Sequence, residues 1–314
     1  MAEPNPILAR LGRGPSDRLI ILQADDVGMS YGSVVAVHHL LEASLGISVS
    51  VMPPGPWFPF ALATLKAQPP GSFDLGVHFT LTSEWTRYRW GPVSPELAGS
   101  GLRDPDGYLW SRSKDVRMRV QPEQVYHQLQ QQLRRVRDSG LVPTHVDAHM
   151  GTVFCDSFFD LYMRLARENG LLALMIREDP VELLEMGFSP AGLDERLRTL
   201  RALEGAGVPL LDKVVLMTLD DSRDRLGQFR AMLASLPAGV SEILFHPSIR
   251  TPELSAITPD WECRVADYEF LIGSDWRGAL REAGVQLTSW RQLSSATAAL
   301  QAEQSANTAY PSTV

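Results

Sequence analysis

Leu19-Ile20-Ile21-Leu22-Gln23-Ala24-Asp25-Asp26-Val27-Gly28 is the stretch whose reading decides the fold. Its apolar start, Leu19 to Leu22, predicts a buried strand. That strand ends in two adjacent carboxylates and a glycine. Neighbouring Asp side chains repel each other unless positive charge lies beside them. Asp25 and Asp26 therefore serve a cation or supply a base, or else belong to a solvated Asp-x-Gly turn. Histidines at three further predicted strand ends, His78, His149 and His246, favour chemistry over the turn.

Beyond this stretch the chain alternates strand and helix. The apolar stripe Val34, Val37, Leu41, Leu45 predicts a helix over 33–45, and Gly46 ends it. Alternation over 47–51 predicts a second strand. A helix over 59–67 and a strand over 73–79 follow. Val125, Leu129, Leu133 and Val136 mark an amphipathic helix over 122–138. Strands are expected at 144–149, 171–176, 213–218, 242–245 and 285–287, with helices between them. About eight such alternations suit a parallel sheet with crossover helices. The expected fold is α/β, a distorted (β/α) barrel in a single domain over residues 18–302. Residues 1–17 read as an irregular arm and 303–314 as a frayed tail. No glycine-rich fingerprint follows the first strand, which argues against a dinucleotide fold. Periodicity disappears over 80–120. This long insertion, with Trp85, Trp90 and Trp110, is of the kind that forms lids or binding loops.

Composition narrows the function. The chain has 314 residues, 44% hydrophobic and 21% charged, with a net charge of −8. There is no basic block to suggest nucleic-acid binding. No apolar run reaches the roughly 18 residues of a membrane span. Residues 1–17 show no signal-peptide core. Two cysteines, Cys155 and Cys263, make no disulfide framework and suit a reducing cytoplasm. A homodimer is compatible with the sequence.

In a barrel the active site lies at the C-terminal ends of the strands. His145, Asp147 and His149 alternate and share one face of a strand. Buried polar groups there are costly unless paired or bound to a metal. Asp26, His78 and His149 together supply one carboxylate and two imidazoles, a set that leaves positions open on a divalent ion. Asp25 is then placed to take a proton from water. His246, held extended by Pro247, is placed to protonate a leaving group. Asp147 and His145 stand behind the ligands, where Asp147 can fix a histidine tautomer. Arg264 is read as orienting Asp25, holding an anionic transition state, or forming a surface salt bridge.

Ala24-Asp25-Asp26-Val27-Gly28, Gly76-Val77-His78-Phe79-Thr80-Leu81-Thr82, Thr144-His145-Val146-Asp147-Ala148-His149 and Phe245-His246-Pro247 resemble, in order and spacing, the signature segments of the YdjC-type carbohydrate deacetylases. This is the family of the chitooligosaccharide deacetylase. Val27 and Met150-Gly151 depart from the common pattern. The resemblance implies a distorted (β/α) barrel and one divalent ion, magnesium or zinc. It implies hydrolysis of an N-acetyl group on an amino sugar, with release of acetate. By motif position Asp25 is the base, Asp26, His78 and His149 are the ligands, and His246 is the acid. Two other classes fit the residues: an iron-dependent oxygenase using the same two histidines and carboxylate, and a sugar-binding protein without chemistry.

Overall fold

The computed structural model describes residues 3–95, 99–177 and 179–298. One sheet runs through them: β1 (Arg18–Val27), β2 (Ser48–Val51), β3 (Asp74–Phe79), β4 (His145–Ala148), β5 (Leu172–Ala173), β6 (Lys213–Leu216), β7 (Gly239–Phe245) and β8 (Val285–Leu287). The strand order is β5-β4-β3-β2-β1-β7-β6, and β8 pairs with the start of β1. Every pairing is parallel, as crossover helices between consecutive strands require. The sheet curls until its edges meet beyond β5 and before β6. There Ile176 bridges Leu211, and the Arg177 amide donates to the Leu211 carbonyl at 2.7 Å. The result is a distorted α/β barrel.

β1 is central and explains why the opening stretch organises the chain. Residues Leu19 through Val27 are all buried, the mark of a strand covered on both faces. It extends through both aspartates, further than its apolar start suggested. The following helix, Tyr31–Glu42, begins at a Ser30 capping box with Ser33. The helix Pro122–Arg137 packs Val125, Leu129, Leu133 and Val136 inward, and all four are buried. No helix among the described residues is long and apolar enough to cross a membrane.

Two regions differ from the sequence reading. The irregular arm expected over 1–17 contains a helix, Pro6–Arg10, capped by Asn5, with Ile7 and Leu8 buried. Its two buried apolar residues and hydrogen bonds from Asn5 to Leu210 and Asp212 dock it. The described residues of the 80–120 segment, 80–95 and 99–120, are ordered by tertiary contacts. Thr82 bridges Trp110, Arg103 bridges Leu109, and a helix forms at Ser113–Arg119. The tail expected over 303–314 lies outside the described residues.

Candidate active site and metal centre

Adjacent residues on a regular strand point to opposite faces, so Asp25 and Asp26 need a break in the strand to serve one pocket. β1 supplies it. Ala24 pairs with Val49 but Val27 with Val51, so β1 carries one extra residue there. Asp26 takes the left-handed conformation, with φ 59°. A bulge re-aims side chains in this way next to active sites. Both carboxylates are buried.

Asp26 is the hub. Its Oδ1 lies 3.0 Å from His149 Nδ1 and 3.5 Å from His78 Nε2. The two imidazole rings are 5.3 Å apart and steeply inclined at 68°. Despite these approaches Asp26 Oδ1 is buried and accepts no hydrogen bond. Donor atoms of Asp26, His78 and His149 all fall within 4.8 Å of one another. Close donors converging on an orphaned oxygen fit a shared cation, since ligands of a 2.0–2.3 Å bond sit roughly 3 to 3.5 Å apart.

Each histidine has a carboxylate on its other nitrogen. His78 Nδ1 is 2.9 Å from Asp147 Oδ1. The two residues are direct ladder partners between β3 and β4. Asp147 is held in turn by the Ser50 hydroxyl at 2.5 Å and by Gln23 Nε2 at 3.3 Å. His149 Nε2 is 3.0 and 3.1 Å from the two oxygens of Glu84.

The electrostatics follow. Burial disfavours charge on every group here. For His149 the facing Glu84 and Asp26 outweigh burial and raise its pKa to about 9. For His78 burial is likewise outweighed, by Asp147 and Asp25, and its pKa rises well above the usual value. Burial would raise Asp26, but His149, His78 and Arg264 carry it well below the carboxylate range. Asp25 goes the other way, pushed by burial to about 7, with His78 opposing and Asp147 and Asp26 reinforcing. A pocket that charges two imidazoles is a negative well, which favours a divalent cation equally.

Asp25 accepts from Gln23 Nε2 at 3.0 Å and shares a second close group with His78 and Asp147. His246 has its Nε2 4.0 Å from Asp26 Oδ2. Its backbone amide donates to Asp267 at 2.9 Å. Its Nδ1 has no hydrogen-bond partner, and burial lowers its pKa to about 4.

Arg264 is neither a surface residue nor a partner of Asp25. It is buried, donates to Asp26 Oδ2 at 2.8 Å, and is braced by Asp260 at 2.9 Å. It therefore ties down one oxygen of Asp26 and leaves the other facing the histidines. His145 is also no surface residue: it is fully buried and stacks on Trp290 at 4.7 Å. Its Nε2 is 3.9 Å from Asp147, away from Asp26.

The three tryptophans separate. Trp90 is buried, donates to the Thr82 carbonyl, and has its ring 6.4 Å from His149. Trp85 lies against Trp90, and the Arg264 guanidinium stands 5.5 Å over its ring. Trp110 instead donates to the Gly101 carbonyl and packs under Arg119.

Sequence reasoning missed Glu84, Gln23 and Ser50. Gln23 and Ser50 were legible in principle, since polar residues on buried strands demand partners. Glu84 sits in the aperiodic segment and had no such signal.

A family model for YdjC-like proteins matches residues 19–282. The chain belongs to the YdjC-like family. A carbohydrate deacetylase from Thermus thermophilus is 34% identical over 277 residues, covering 88% of this chain and 94% of that one. One from Enterococcus faecalis is 22% identical over 280 residues, covering 88% and 99%. A crystal structure of an Enterococcus faecalis V583 protein, named for a proposed cleavage of cellobiose-phosphate, superposes with a TM-score of 0.71. It is 22% identical and covers 88% of this chain and 99% of that one, which supports the shared fold.

Proposed function

We propose that this YdjC-like protein is a metal-dependent hydrolase that removes the N-acetyl group from an acetylated amino sugar or oligosaccharide and releases acetate. The observation that carries the reading is the convergence of His78 and His149 on one buried oxygen of Asp26 that accepts no hydrogen bond, with Asp25 beside them. The relatives named carbohydrate deacetylases support the substrate class.

In this reading Asp26 Oδ1, His78 Nε2 and His149 Nδ1 hold one divalent ion, magnesium or zinc. Such an ion supplies polarisation of the amide carbonyl and a lowered pKa for water. Asp25 accepts the proton of the water whose oxygen attacks the acetyl carbon. The carbon–nitrogen bond then breaks, and the sugar nitrogen leaves as an amine after gaining a proton. His246 is the proposed donor of that proton. Water gives up one proton and the leaving nitrogen gains one, so the reaction balances. Arg264 acts through Asp26, holding Oδ2. Half-buried Trp85 offers an apolar face to a sugar, Trp90 is buried beside it with its ring 6.4 Å from His149, and Trp110 stands apart from this role. Free, buried Cys155 and Cys263 agree with a cytoplasmic setting.

The test is acetate release from a panel of N-acetylated mono- and oligosaccharides, with magnesium or zinc added. Acetate and free amine should appear in equal amounts with at least one substrate. Oxygen uptake with added iron, or sugar binding with no acetate after long incubation, would refute the reading.

A further inference from the structure

We propose that Glu84 is a positioning residue of the metal centre: by holding Nε2 of His149 it makes Nδ1 the nitrogen that faces the ion. The inference rests on the metal-dependent reading above. An imidazole has two different nitrogens, and the partner of one decides the role of the other. For His78 the decision is made inside the sheet, where Asp147 takes Nδ1 and leaves Nε2 toward Asp26. For His149 the arrangement is reversed: Nε2 meets Glu84, and Nδ1 lies 3.0 Å from Asp26.

Glu84 comes from outside the sheet, yet its backbone is fixed. The Ser83 amide donates to the Trp110 carbonyl at 2.8 Å. The Trp90 amide donates to the Ser83 hydroxyl at 2.9 Å, and its indole to the Thr82 carbonyl at 2.8 Å. Arg89 braces the same turn through Asp104 and the Leu109 carbonyl. The described residues 82–95 and 99–110 therefore form a built platform that brings one carboxylate against a buried ring. Without Glu84, His149 is free to flip or to present its other nitrogen, and the ion loses a fixed ligand. The segment after β3 is thus part of the metal centre.

Calorimetric titration of zinc into metal-free Glu84→Ala and Glu84→Gln tests this. Loss of a carboxylate behind a ligating histidine weakens metal binding by about 10- to 100-fold. Glu84→Ala should show that loss in a protein that circular dichroism finds folded at the titration temperature, its metal-free thermal midpoint lowered by loss of the His149 partner. Glu84→Gln, which still offers an oxygen, should lose less. Affinity of a folded Glu84→Ala within about twofold of the parent overturns the assignment. Should Glu84→Ala not fold, nitrogen-15 histidine spectra of the zinc-loaded parent decide: metal on His149 Nδ1 is expected, and metal on Nε2 overturns the proposal. A parent chain that takes up no divalent ion overturns both this proposal and the metal-dependent reading. Normal uptake in both Glu84 variants overturns this one alone.

Discussion

Two polar layers lie one above the other inside the barrel, and they behave in opposite ways. The upper contains His78, His149, Asp147, Asp25 and Asp26. The lower contains His145, which pairs with Gly76 two residues before His78 and Asp147, and Glu242 of β7. Both are buried and use the same residue types. In the upper layer each histidine meets two carboxylates and is driven toward charge. In the lower, burial takes His145 down to about 4, and its ring lies against Trp290. Burial likewise pushes the Glu242 carboxyl well above its usual range, reinforced by Asp25 and Asp147, and it accepts from the Trp290 indole at 2.9 Å. Burial alone makes a titratable group neutral; opposite charges on both sides of it make a site. The upper layer carries the proposed chemistry, and the lower one supports it as uncharged packing.

The largest effect expected on this contrast comes from Asp25→Asn. Acetate release should fall by about 10²- to 10⁴-fold, the usual contribution of a positioned base. Metal content, measured by elemental analysis, should stay at the parent level. Next, Asp147→Asn should weaken zinc binding by roughly 10- to 100-fold, because it removes the carboxylate behind His78. A calorimetric titration reads this, and an unchanged affinity would detach Asp147 from the upper layer.

The junction of the layers is tested by Gly76→Ala. A Cβ there would lie 2.0 Å from the Ser50 hydroxyl and 2.5 Å from His145 Nε2. Such overpacking costs about 1–3 kcal/mol. Denaturant unfolding should show that loss, and a stability equal to the parent's would mean the interior yields freely.

The smallest effect belongs to Glu242→Gln. Burial makes Glu242 hold its proton to higher pH in the fold than in the unfolded chain, where it ionises above roughly pH 4.3. The unfolded state then binds fewer protons, so stability is full below that pH and falls as pH rises toward the raised folded value. The glutamine lacks this loss. Its thermal midpoint should drop less between pH 5 and pH 8 than the parent's, with activity little changed. An identical pH response in the two proteins would show that Glu242 is charged in the fold.

The strand ends were readable because alternation fixes which residues share a face. His145, Asp147 and His149 could be placed on one side of a strand before any coordinates. At Asp25 and Asp26 that rule does not hold, because a bulge and one left-handed residue cancel the alternation and let both serve one pocket. Arg264 reads as a surface cation because a helix position alone says nothing about a carboxylate arriving from β1, 238 residues earlier in sequence. Glu84 was hidden for a related reason: its segment is ordered by tertiary contacts without a repeating pattern. The curl of the sheet was also only partly visible, since its closure rests on a single bridge at Ile176 and Leu211.

Metal stoichiometry, measured by elemental analysis after loading with zinc and removing the excess, tests the central claim most directly. One ion per chain should be retained by the parent and lost from Asp26→Ala, His78→Ala and His149→Ala, each still folded. Retention of a full equivalent by all three variants, or none by the parent, would contradict the account.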